Sequence, residues 1–495
     1  MEPEAAWMPW EDSQLTNWIM DPFDLSQMEN YGSMEPEAAS MPQEEYQYAA
    51  TEVESPAATQ NEMIEKATVQ KFEEVAQEFK VDIDMMQMKI HRYPPSLGAF
   101  DEWFTTPRMV AMGPYHHIRV RNQQKLEEKV KHVAAHHCIR ESGCSIQELY
   151  GAVVSAAQDA RHLYDKDTMT GIGDDDFLTM MFYDACFLVQ YMLWCTHDAS
   201  EMDPSLRSFF YFNRKVLRHD LMLLENQLPW RVVETVMKFR PVNLVDFITY
   251  WRDYLQDRTV LEEKPVVWDD NYEIPHLLGL LRFYMVGKSK SKVHARAKLT
   301  SLSVSASATE LAEIGIKLTA AKDTTELIHM DVKRKGILSA ELSLAPLSHD
   351  EERASFLINM VALELCTTSH FLAYSAKDED SAVCSYLHLL SMLVHKEEDV
   401  QELRTKQVLQ GRAGLINKDA LDFFTSLQSL PLHGSCYVRV MVEIENYKVS
   451  RKMWTKVHAF FYHTSKKTIL TVLTVVGLLV SILGTLMSLK ASSKN

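Results

Sequence analysis

The chain has 495 residues, 46% of them apolar, and a formal net charge of −17. That length holds one large or two ordinary domains, and the apolar share is that of a folded protein. The acidic balance excludes the dominant basic surface of a nucleic-acid binder. Seven cysteines are odd in number and scattered, which suits a reducing compartment better than a disulfide framework.

Residues 1–60 carry thirteen acidic side chains and no Lys or Arg, leaving only −4 for the rest. MEPEAAWMP at Met1–Pro9 returns as MEPEAASMP at Met34–Pro42. Acid without a core pattern predicts a disordered N-terminal region over 1–60, with Trp7, Trp10 and Trp18 as scattered docking aromatics. Apolar residues at helical spacing predict a helix over Asn61–Phe79. Met109–Met112 reads as a short strand ending at Gly113–Pro114, and Gln123–Cys138 as a charged helix. The next helix, to Tyr164, opens on a capping box of Ser145 and Glu148.

Asp174, Asp175 and Asp176 precede an apolar run to Cys195; acid at a helix start complements the dipole, and apolar sides all round predict a core helix. Asp203–Pro204 opens a helix to about Leu224, closed by Glu225–Asn226–Gln227, before Pro229 starts another. Lys288–Lys298 is a basic loop. Short alternating runs within 313–345 predict a small β element, and helices resume over 350–371 and 381–427. From Tyr437 no Pro or Gly interrupts the chain until Gly477, which predicts one long helix leaving the body, with Trp454, Phe460, Phe461 and Tyr462 at a membrane interface.

Thr468–Leu489 has no charged residue and follows Lys466 and Lys467. As a helix it would span roughly 33 Å, against a bilayer core of about 30 Å. We therefore expect a transmembrane helix over 468–489 that holds a globular body, 61–465, to a bilayer. The N-terminus lacks a signal-peptide pattern, so insertion would depend on this last segment. The excess of Lys and Arg before the span places the body in the cytosol. Gly477, Ser481 and Thr485 share one helix face, a surface for self-association.

Motifs for chemistry are sparse. Gly287–Lys288–Ser289 lacks the earlier Gly of a P-loop, because that position is Arg282. His132 and His136 sit one helical turn apart with His137 and Cys138 adjacent, but no HExxH or paired CxxC completes a zinc set, so the histidines read as surface side chains. No nucleophile motif occurs. We expect no catalytic residue, cofactor or metal.

Several segments together resemble one family. They are Met112–His117 (MGPYHH), Lys125–Lys129, Asp184–Gln190, Asp220–Pro229 (DLMLLENQLP), His276–Leu278, Ala308–Ala312 with Gly315, and Asn359–Glu364. The chain resembles the plant-specific DUF247 family over about 88–490, departing from its pattern at Tyr93, Ala185 and Gln190. The resemblance implies a membrane-associated plant protein without established enzymatic activity; some grass members are implicated as pollen-side determinants of self-incompatibility. Its candidate site residues are Gly113, Pro114, Tyr115, His116, His117, Glu225, Asn226, Gln227 and Pro229. The expectation is thus a mainly α protein with a small β insertion and one C-terminal membrane helix, non-enzymatic, recognising an unidentified protein partner. The competing expectation is an enzyme with an unrecognised site where GPYHH and LLENQ converge.

Overall fold

The computed structural model describes residues 56–98, 100, 102–117, 125–196, 202–256, 265–289, 307–336, 339–368, 377–411, 416–463, 474, 477–479, 481, 482 and 484. The chain divides into two units, 1–73 and 74–495. Helix α1 (Pro56–Asp84) supplies the described part of the first unit and runs into the second. It starts four residues before the predicted end of the disordered region, with Pro56 pre-set for a first helical turn and Ala57 and Ala58 behind it. Residues 1–55 lie outside the described residues.

The second unit is mainly helical with small sheets. Its central element is α5 (Asp174–Cys195), preceded by α2 (Lys125–Ser142), α3 (Ile146–Gln158) and the one-turn α4 (Lys166–Met169). Fifteen of the 22 residues of α5 are buried. The helix is long and apolar enough to cross a bilayer, but 83% of its apolar window lies inside the protein, which makes it a core helix. Against it pack α2, α3, α6 (Pro204–Leu221), α7 (Trp230–Met237) and α8 (Leu244–Gln256). The capping box forms: Ser145 Oγ accepts from Glu148 N, and the Glu148 carboxylate accepts from Ser145 N at 2.9 Å.

Helices α9 (Leu277–Val286) and α10 (Ala308–Glu313) lead to the β element. Strand β1 (Ile316–Ala320) pairs parallel with β3 (Ala340–Leu344), and β2 (Met330–Arg334) pairs antiparallel on the other side of β3, in the order β1-β3-β2. The sequence suggests the first and third strands. The second is hidden because MDVKR has only two apolar residues. A two-residue pair joins β4 (Leu347–Ser348) to β5 (Leu409–Gln410), on either side of α11 (Glu351–Thr367), α12 (Ala382–Leu393) and α13 (Glu397–Thr405). Helix α14 (Asn417–Ser426) precedes the last described helix, α15 (Ser435–His463).

Asp378 fixes the start of α15, accepting from Ser435 Oγ at 2.7 Å and from Arg439 Nη1 at 2.8 Å. The helix packs on α12 and β2. The side chains of 452–473, including the predicted interface aromatics, are outside the described residues, as is most of the basic loop beyond Ser289. Within the apolar run 468–489 the described residues 474, 477–479, 481, 482 and 484 are helical and exposed.

Three expectations need correction. Met109–Met112, expected as a short strand, forms none and joins no sheet. The helix expected to reach Tyr164 ends at Gln158, followed by a 3-10 turn over Arg161–Leu163. His137, read as a surface side chain, is buried, with Nδ1 2.7 Å from Arg140 Nη2 and Nε2 3.6 Å from Asp203.

Candidate functional site

Residues 108–113 form an irregular segment without a strand partner, yet most of it is buried and its backbone must be paired. Side chains do the pairing. Asp220, in the last turn of α6, accepts from Arg108 N at 2.9 Å, Met109 N at 2.7 Å and Val110 N at 2.9 Å. Asn226 Oδ1 accepts from Met112 N at 2.6 Å, and its Nδ2 donates to Val110 O at 2.9 Å. Asp184, in the middle of α5, accepts from Gly113 N at 2.8 Å. Lys131 of α2 donates to Ala111 O and pairs with Asp184 at 2.6 Å. These side chains thus replace a neighbouring strand.

The same residues close helix ends. Asn226 Nδ2 also donates to Asp220 O, and Gln227 Nε2 donates to Leu221 O and Leu223 O, all at 2.8 Å. The first two carbonyls belong to the last turn of α6, where a helix leaves its carbonyls without intrahelical partners. Gln227 Oε1 accepts from Leu278 N at 2.9 Å, and His276 Nδ1 accepts from Gly279 N at 3.2 Å, so both cap α9. Burial pushes the His276 imidazole down to about 3, which keeps it a neutral acceptor. Asn359 of α11 accepts from Leu224 N and donates to Phe104 O and Ser355 O. Asp220, Asn226, Gln227, His276 and Asn359 are all fully buried.

The remaining candidate residues shape this brace. Gly113 has φ +67°, and a Cβ there would stand 3.0 Å from the Tyr164 hydroxyl and 3.1 Å from Gln227 O. Only glycine takes that conformation freely. Pro114 is buried and its carbonyl accepts from His117 N at 3.3 Å. Tyr115 donates its hydroxyl to Ile90 O at 2.6 Å and accepts from Asp165 N at 2.9 Å. Pro229 is the N-cap of α7. Glu225 lies near the surface, with its side chain 13% exposed. It accepts from Tyr93 N at 2.8 Å, and Arg92 Nε and the His116 ring each stand 3.5 Å from it. Beside it, burial and then the Glu225 charge push the Cys366 thiol up to about 12, far from a thiolate at neutral pH.

A family model described as a plant protein of unknown function, DUF247, matches residues 90–481. The chain belongs to the DUF247 family. It is also similar to the UPF0481 protein At3g47200 of Arabidopsis thaliana, 23% identical over 373 residues, or 68% of this chain and 72% of the relative. No solved structure matches.

Within this DUF247 chain the predicted residues on 113–117 and 225–229 do converge, but on a brace whose donors and acceptors face backbone. A small, largely apolar pocket lies elsewhere, lined by Leu255, Met285, Leu327 and Phe356 among others, with about 20 Å³ free, enough for about one water. Sequence reasoning missed Asp220, Asp184, Lys131 and Asn359 as members of the site. For Asp184 and Asn359 the available signal was a polar side chain inside an otherwise apolar run, which must be paired to be buried; Lys131 and Asp220 sit among other charged residues of their helices and gave no such signal.

Proposed function

We propose that this DUF247 protein is a non-enzymatic recognition protein, a helical body held to a membrane by its C-terminal apolar run. The observation that carries the non-enzymatic reading is the use of Asp220, Asn226, Gln227 and Asn359 on backbone groups. A carboxylate already holding three N–H donors has little left for proton transfer to a substrate. The anchor is supported by the uncharged length of Thr468–Leu489 and by Leu478, Leu479 and Ile482, which are helical and more than half exposed. Apolar side chains of that kind need lipid or protein to cover them. Anchoring would raise the body's effective concentration near a membrane partner.

A narrower role as a pollen-side self-incompatibility determinant rests on no particular residue of this chain, so the proposal stops at recognition. The competing enzyme reading has one feature in its favour, the Arg92, His116 and Glu225 group at the rim. Against it stands the inert Cys366 thiol. Alkaline carbonate extraction tests the anchor. The full chain should stay with membranes and a chain ending at Lys467 should be released. Release of both, or retention of both, overturns the anchoring. For the rim, Glu225→Gln and His116→Gln should leave partner association in proximity labelling intact; a turnover abolished by these changes in a folded protein would establish the enzyme reading instead.

A further inference from the structure

Helix α1 carries an apolar seam that the fold leaves uncovered. Val69, Phe72, Ala76, Phe79 and Ile83 recur at steps of three and four residues. All five are exposed, Phe72 and Phe79 by 69% and 66%. Alternating three–four spacing is the a/d pattern of a two-heptad coiled coil, with β-branched Val69 and Ile83 and small Ala76 at a and phenylalanine at d. Water-facing phenylalanines in that register need a partner helix.

We propose that the partner is a second copy of α1, paired antiparallel. Charge decides the orientation. Glu73 and Lys80 both occupy the e position beside the seam. In a parallel pair they would face the g residues Thr68 and Val75 of the other copy and gain no ionic contact. Antiparallel, e faces e. The register that sets Phe72 against the second copy's Ile83, and Ala76 against its Phe79, also sets Glu73 against its Lys80. Two-fold symmetry repeats every contact, the closed geometry of an isologous dimer. The large rings then meet the small alanine and the slender isoleucine, as knobs-into-holes packing requires. An anionic lipid surface is a poor alternative. Glu62, Glu65, Glu73, Glu74, Glu78, Asp82 and Asp84 outnumber Lys66, Lys71 and Lys80 on this helix. The inference does not rest on the membrane anchor and holds whether or not the terminal run spans a bilayer.

Two heptads make a short seam, so covalent trapping is the suitable readout. Full-length chains carrying Phe72→Cys, with one tag, are mixed with full-length chains carrying Ile83→Cys, with another, and oxidised in detergent beside the parent chain. A cross-linked species bearing both tags is expected in the mixture, with neither variant alone exceeding the parent's background. Lys80→Glu in both chains should lower the yield several-fold, and adding Glu73→Lys should restore it. No mixed cross-link overturns the pairing. Self-cross-linking of Phe72→Cys chains overturns the antiparallel orientation, and failure of the charge exchange to restore the yield overturns the register. These positions are exposed, so circular dichroism unchanged from the parent confirms that each variant is folded.

Discussion

Asn226→Asp changes one atom and tests the brace directly. The native amide donates to Val110 O at 2.9 Å and Asp220 O at 2.8 Å, and accepts from Met112 N at 2.6 Å, with no solvent exposure. A carboxylate in its place presents an oxygen to two carbonyl oxygens and adds a charge beside buried Asp220. Val110 O loses its donor, which costs about 1–3 kcal/mol, while Asp220 O keeps Leu223 N at 3.3 Å. Taking up a proton to shed the charge costs about 1.4 kcal/mol per pH unit above the carboxyl's ordinary pKa and recovers one of the two bonds. The expected loss at pH 7 is about 3–6 kcal/mol, against about 5–15 kcal/mol for a typical whole domain. Burial raises the folded-state pKa of the introduced carboxyl above its unfolded value. Its penalty is therefore full above the folded pKa and shrinks as pH falls through it, measured against the parent at each pH. Asn226→Leu should cost a similar amount without that recovery. Urea unfolding of the full chain in detergent, followed by tryptophan fluorescence, reads the midpoint shift. A shift below about 1 kcal/mol for Asn226→Asp would refute the brace and return Asn226 to the list of groups free to act on a ligand.

Lys131→Met leaves Asp184 without the ammonium that stands 2.6 Å away in the interior, and should cost about 3–5 kcal/mol in the same unfolding assay. Gly113→Ala forces a side chain onto a backbone at φ +67° and into the Tyr164 hydroxyl, for about 1–3 kcal/mol; thermal unfolding checks it. Burial lowers His276 to about 3 and both His349 and His388 to about 4. Their unfolded pKa is near 6.5, so the unfolded chain takes up these protons first. Stability from this source is complete above about pH 6.5 and falls as pH drops towards 4, by about 2 kcal/mol for each histidine at pH 5. His276→Asn keeps a capping acceptor and should remove its share of that decline; a urea midpoint just as steep in pH as the parent's would contradict the assignment.

Local rules carried much of the fold. The Ser145–Glu148 box, Asp203 before Pro204, and Pro229 at the head of α7 are signals written within a few residues, and each marks a helix start in the structure. The β element was legible in the alternating residues of β1 and β3, but β2 was not, because its place beside β3 is a tertiary choice. The brace was half legible. A polar trio before Pro229 announces a helix end, and Asn226 and Gln227 do close one. Their other partners lie far along the chain: Asp220 binds a segment about 110 residues away. The sequence predicts a strand at Met109–Met112, and no strand forms there. A short apolar run in the sequence does not show whether its backbone hydrogen bonds go to a strand or to side chains.

The two long apolar stretches make the same point about membranes. Asp174–Cys195 and Thr468–Leu489 are equal in length, and each is an apolar run long enough to cross a bilayer. What separates them is polar content that burial must satisfy. The first contains Asp184 and Gln190 in its interior half, and the structure supplies Lys131 and Gly113 N to one and the Glu141 carboxylate to the other. A lone carboxylate at mid-helix is costly in hydrocarbon but serviceable in a protein core that offers a lysine. The second stretch has only Gly, Ser and Thr as its small or polar residues, none of them ionisable, and therefore asks for no such partner. The groups that make the first helix a brace are thus the ones that would bar it from lipid, and their absence is what leaves the terminal run fit for a bilayer.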